Sequence, residues 1–175
     1  MIDTQKQQYL GRAMNALQDY LIRKLLIPKI YLDTEWNGIP VQVLAIDRAG
    51  VGDVHLVWTE FLEPGVDIRA ASVLSDSWLP SGVEEIKSLP SHYRYIAIVS
   101  GDPNMRQFSL RDEIIRKSFA EDGVGRVGIL HVDLSEDDPL VRVILKAERF
   151  RSSKEIVELA DRYVLEHTAN WEIRE

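Results

Sequence analysis

The 175-residue chain has no cysteine. That excludes a disulfide framework, a thiolate metal centre and a cysteine nucleophile, and it fits a reducing compartment. No apolar run approaches the roughly 20 residues that a membrane-crossing helix needs. The first residues, MIDTQKQQYLGRAMNALQDYL, lack the basic-then-apolar pattern of a secretory leader. The expectation is a cytoplasmic protein with no membrane partner. Positive charge is also in short supply: 21 Lys and Arg stand against 28 Asp and Glu, a formal net charge of −7. Polyanion partners call for a basic face, so nucleic acid is a weak expectation, limited to a local patch. The glycine patterns of phosphate loops, dinucleotide folds and nucleophile elbows are missing. The glycines of residues 123–128 precede a strand instead of opening a helix, and read as a turn. His55, His92, His131 and His167 are scattered, without helical zinc-ligand spacing, and each reads as a satisfied structural imidazole.

What is present is an ordinary core. The residues are 45% hydrophobic and 28% charged, enough for one domain over 1–175 with no repeat or linker. Tyr9, Ala13, Ala16, Leu17, Tyr20, Leu21 and Leu25 recur at helical spacing and predict a helix over 4–26, stopped by Pro28. Strands are predicted over 30–36, 39–46 and 54–62. Asn37-Gly38 marks a tight hairpin between the first two, and a polar, glycine-containing break at 47–53 separates the others. An irregular proline-rich stretch follows, with a short helix at 83–88. A strand over 93–99, a helix over 110–120 behind Ser109, strands over 126–133 and 141–146, and a helix over 154–167 capped by Ser152 or Ser153 complete the chain. Trp171 in the tail must dock or sit at an interface. This alternation predicts an α/β fold, a central mixed β-sheet flanked by helices.

The stretch 39–62 organises the rest. It holds Gln42-Val43-Leu44-Ala45-Ile46-Asp47-Arg48-Ala49-Gly50, then Val54-His55-Leu56-Val57-Trp58-Thr59-Glu60, with His92-Tyr93-Arg94-Tyr95-Ile96-Ala97 further on. In wording and element order it resembles the restriction-endonuclease-like fold of the PD-(D/E)xK nuclease superfamily. In that family one strand supplies an aspartate and the next a glutamate, which hold a divalent metal, and a lysine two residues on helps activate the attacking water. Hard cations require such oxygen donors, and the bound metal activates water. The resemblance places Gln42 at the aspartate position, Trp58 at the glutamate position and Glu60 at the lysine position. A carboxamide is a weak neutral ligand and an indole is none. The resemblance therefore implies a pseudo-nuclease with no metal cofactor, acting through a protein partner, a homo-oligomer or assembly, and not through hydrolysis.

Two enzyme readings stay open. Asp33, Glu35, Asp47 and Glu60 crowd the same hairpins and could form a relocated Mg2+ or Mn2+ site for a nuclease, with Asp33 and Glu35 expected on one strand face by their two-residue spacing. Alternatively Asp47 and Asp53 are turn residues and Glu35 and Glu60 exposed strand positions. Leu32-Asp33-Thr34-Glu35 also resembles the first motif of DEDD exonucleases, although the later aspartate and histidine signatures are missing. Glu85-Ile86-Lys87 spells E-x-K inside a helical segment and reads as a decoy. Arg106, Arg111, Arg116, Lys117 and Arg126 form a basic cluster that reads as a solvated face, and Trp36, Trp58, Trp78 and Trp171 are core or contact rings.

Overall fold

The computed structural model of the chain describes residues 3–47, 52–61, 82–101 and 126–172. In chain order these form α1 (Asp3–Arg23), β1 (Lys29–Trp36), β2 (Ile39–Ile46), β3 (Val54–Phe61), α2 (Gly82–Ser88), β4 (Tyr93–Ser100), β5 (Gly128–Asp133), β6 (Leu140–Leu145), α3 (Lys154–Glu166) and a two-residue β7 (Trp171–Glu172). The helix expected over 110–120 and most of the basic cluster lie outside the described residues.

All seven strands join one mixed sheet in the order β6-β5-β4-β3-β2-β1-β7. β1, β2 and β3 form an antiparallel meander, while β3, β4 and β5 run parallel. β6 and β7 pair antiparallel at the two edges. The fold is therefore α/β, with helices on a mixed sheet, as the alternation of elements predicted. Helices cover both faces, which is why β4 (YRYIAIVS) is buried at its last six positions and does not alternate. Ala13, Met14, Leu17 and Leu21 of α1 pack on Val43, Ala45, Val57, Ala97 and Leu130. Ile86 of α2 and Ile156, Ala160 and Tyr163 of α3 pack on Leu44, Leu56, Ile96 and Ile129 from the other side.

Helix α1 ends at Arg23, three residues before the predicted stop. The residue preceding a proline is pushed out of the helical region. Here the chain turns earlier, with Leu26 at φ 55, so that Ile27 returns to the core. The Asn37-Gly38 turn has both residues at positive φ, 51 and 80, as a tight hairpin of this hand requires. Ser153 is the cap of α3, its hydroxyl accepting the Ile156 N–H. The tail folds back: Trp171 pairs with Ile30, and the Asn170 carboxamide accepts the Leu32 N–H at 2.7 Å.

β1 is not a regular strand. Asp33 has φ 47, and the ladder with β2 passes from Leu32↔Val43 to Thr34↔Val41 without a pair between. The pleat reverses there. Tyr31 and Trp36, five residues apart, both pack on the α3 side, as do Val41 and Leu44 on β2, three apart. Val43, two residues from Val41, faces α1. The two-residue spacing of Asp33 and Glu35 therefore does not place them on a shared strand face, contrary to expectation, because Asp33 is itself the point of reversal. Aspartate is one of the few residues that accepts this left-handed backbone readily.

Gly128 marks the tightest packing. A Cβ there would lie 2.7 Å from Ala147 Cβ, 2.8 Å from the Ala147 nitrogen and 2.8 Å from Tyr95 Cδ1. Since one of these is backbone, Gly128→Ala is expected to destabilise by about 1–3 kcal/mol through overpacking. Ser153→Ala should cost about 1 kcal/mol through loss of the helix cap. Urea midpoints at unchanged slope measure both; a Gly128→Ala midpoint equal to that of the parent would refute the packing account.

Candidate functional site

The parallel strands β3, β4 and β5 place their carboxyl ends together, where open α/β sheets generally present their ligand sites. Gln42, Trp58 and Glu60 lie at that end. The β2–β3 ladder stops at Val43↔Val57, and the next inward amide, that of Thr59, donates to the Gln42 side-chain oxygen at 3.3 Å. Gln42 can turn sideways in this way because it sits opposite the pleat reversal. Trp58 packs its ring against the α3-side core and donates its indole N–H to Glu60 Oε1 at 3.0 Å. The amide oxygen thus serves the backbone, the indole supplies no lone pair, and one carboxylate is left, already accepting a hydrogen bond. These residues do not fit a divalent cation. Among the described residues, no group of three His, Asp or Glu side chains is placed to hold one.

The other carboxylates are dispersed. Asp33 stands across from Gln42, exposed, and Glu35 is exposed beside the Asn37-Gly38 turn. Asp47 follows the far end of β2, where its N–H donates to the Asp53 carbonyl at 3.0 Å. Six strand residues separate that level from Glu60, about 20 Å at ~3.3 Å per residue. Asp47 therefore cannot share an ion with Glu60. Glu85-Ile86-Lys87 lies within α2, with Ile86 in the core.

A second polar group at this end was not foreseen. Ser100 Oγ is 2.7 Å from His131 Nε2, both side chains being buried, and His131 Nδ1 is 3.2 Å from Arg142 Nη2. Arg142 also approaches Asp133 at 3.8 Å. A guanidinium only donates, so Nδ1 is the acceptor and Nε2 carries the proton. Burial, followed by Arg142, holds His131 neutral, its pKa lowered to about 4. The imidazole consequently donates to Ser100 and cannot take its proton, so this pair is not a nucleophile and base. The one available signal was His131 and Asp133 sharing a face of β5. By register, Ile98 separates Glu60 from His131, two strand spacings or about 10 Å.

No family profile, curated protein or solved structure matches this chain.

The amino-terminal ends of the same strands carry a different constellation. His92 Nδ1 accepts the Val54 N–H at 2.9 Å, and the His92 N–H donates back to the Val54 carbonyl at 2.9 Å, which pins the start of β4 to the start of β3. Asp53 accepts from Arg149 at 2.7 and 3.1 Å, and these bonds hold its carboxyl below the usual range against the effect of burial. His55 does alternate away from Val54 and Leu56, but the face it meets is also closed. It is 8% exposed and stacks on Tyr93 at 4.7 Å. Neither histidine is satisfied: His55 Nδ1 and His92 Nε2 are buried without a hydrogen-bond partner among the described residues. This corrects the expectation of satisfied structural imidazoles at these two positions. Burial lowers the His55 pKa to about 4 and lowers that of His92 as well.

Three imidazoles thus have folded pKa values below the ordinary 6.5 of a histidine side chain. The unfolded chain binds their protons first, so their contribution to stability is complete above pH 6.5 and is lost as pH falls toward 4. For His55 and His131 the shift from 6.5 to about 4 corresponds to roughly 3 kcal/mol each. Asp53 and Asp133 are lowered from 3.8 and add their loss only below that window. The expected result is a melting temperature that falls steadily from pH 6.5 to 4.5, less steeply in His55→Phe; a flat profile in the parent would contradict it.

Proposed function

We propose that this chain is a restriction-endonuclease-like domain whose nuclease motif has lost its metal-binding groups, and which acts as a binding or assembly module. The observation that supports this most strongly is the Trp58–Glu60 hydrogen bond beside the Gln42–Thr59 bond. At the positions where the family holds oxygen donors, the side chains of this protein satisfy one another and the backbone. The helix, antiparallel meander and parallel pair that precede β5 are in keeping with the same ancestry. The docked ring of Trp58 explains how the fold tolerates the loss, because it fills with packed apolar surface the space that a hydrated ion would need. The partner on this reading is another protein or a second copy of the chain.

The nuclease alternative rests on relocated carboxylates, Asp33 and Glu60 among them. Mn2+ titration separates the two. A metal that binds only the folded state raises its stability, by about 2.7 kcal/mol at a hundredfold excess over the dissociation constant. The parent is expected to show no Mn2+-dependent rise in melting temperature and no cleavage of single- or double-stranded DNA. The double variant Gln42→Asp, Trp58→Glu is expected to gain a Mn2+-dependent rise. Cleavage by the parent that disappears in Asp33→Ala or Glu60→Ala would overturn the proposal.

A further inference from the structure

A pocket of about 420 Å3 opens at the amino-terminal ends of the parallel strands, on the α1 face of the sheet. It is independent of the motif residues. His55 lines it, while Glu60 lies five residues along β3 on the opposite face, about 16 Å away. The failure of either reading therefore leaves the other standing.

One side of the pocket is a set of flat rings. His55 is parallel to Tyr93 at 4.7 Å and 13°, and to Tyr95 at 6.2 Å and 7°. Leu25, Ile27 and Val143 supply apolar walls. The polar groups around the rings are the imidazole itself and the tyrosine hydroxyls. His55 is buried to all but 8%, and its Nδ1 has no partner among the described residues. An unpaired polar ring in an apolar pocket is costly unless a ligand compensates it. Asp53 is already paired with Arg149, and of the other charged lining residues Asp47 and Lys146 have opposite signs, so the lining carries no excess of either charge to recruit an ion. The volume is in the lower part of the range for small-molecule sites, which join apolar walls to a few orienting polar groups.

We propose that this pocket binds a small, uncharged, planar heteroaromatic molecule of nucleobase size, its face against the aromatic rings and its polar edge toward His55. A flat ring continues the parallel stack, for which offset aromatic pairing is favourable. A heteroatom edge supplies the hydrogen bonding that a hydrocarbon ring cannot.

The test is a titration of the full chain with free adenine, following the ring resonances of His55, Tyr93 and Tyr95 by NMR. Saturable shifts with a millimolar dissociation constant are expected, weakened at least tenfold in His55→Phe, which keeps a flat ring but removes both nitrogens. Val143→Trp, at a lining position that is 49% exposed, fills the slot from its rim and is expected to abolish the shifts even if His55→Phe does not fold. No saturable shift with adenine, an unchanged dissociation constant in Val143→Trp, or tighter binding of adenosine 5′-monophosphate than of adenine would overturn the proposal.

Discussion

Two-sided burial of the parallel strands is the constraint from which the rest of this structure follows. With α1 on one face and α2 and α3 on the other, β3, β4 and β5 have no solvent-facing row, so a polar side chain there is either bonded where it stands or, like His55 Nδ1, buried without a partner among the described residues. An unmade bond to a buried polar group costs about 1–3 kcal/mol. Ser100 meets His131, His131 meets Arg142, His92 meets the Val54 amide, and Gln42 meets the Thr59 amide. These groups sit at the strand ends, where neighbouring elements can reach them, and the strand middles are apolar.

The reversal at Asp33 gives the first hairpin its orientation. If the pleat continued unbroken, Trp36 would fall on the opposite face from Tyr31. Because it reverses, both rings meet Tyr163 of α3 edge-on, at 5.5 and 5.0 Å. Tyr163 also hydrogen-bonds Thr34, and the Trp36 indole donates to the Pro90 carbonyl at 2.8 Å. One left-handed residue thus lets a single hairpin anchor both the last helix and the segment after α2. It also leaves Gln42 outside the regular ladder, free to serve the Thr59 amide. The geometry around Gln42 and the docking of α3 have the same origin.

The two ends of the parallel strands differ in chemistry. The carboxyl end gathers side chains that are bonded to one another: the indole on a carboxylate, the amide on the backbone, the serine under a protonated Nε2. The amino end keeps an imidazole with an unpaired nitrogen beside parallel rings and an open volume. The Asp53–Arg149 pair settles the local charge there, and burial lowers the pKa of both histidines.

The sequence determined the strand and helix order, the Asn37-Gly38 hairpin, the cap at Ser153 and the presence of a carboxamide and an indole at Gln42 and Trp58. Each of these depends on local backbone preference, on period, or on the identity of a side chain, all of which can be read along a line. The tertiary structure alone decided the rest. The spacing of Asp33 and Glu35 promised a shared face, and a single positive φ cancelled it. Trp171 was expected to dock, but its place as a strand beside β1 depended on Asn170 reaching across 138 residues to Leu32. His131 with Ser100 and Arg142, and His55 with its tyrosines, come from strands far apart in the chain. Which imidazole finds a partner and which is left without one depends on the register between those strands and on the helices that close over them, and neither is encoded in any local window.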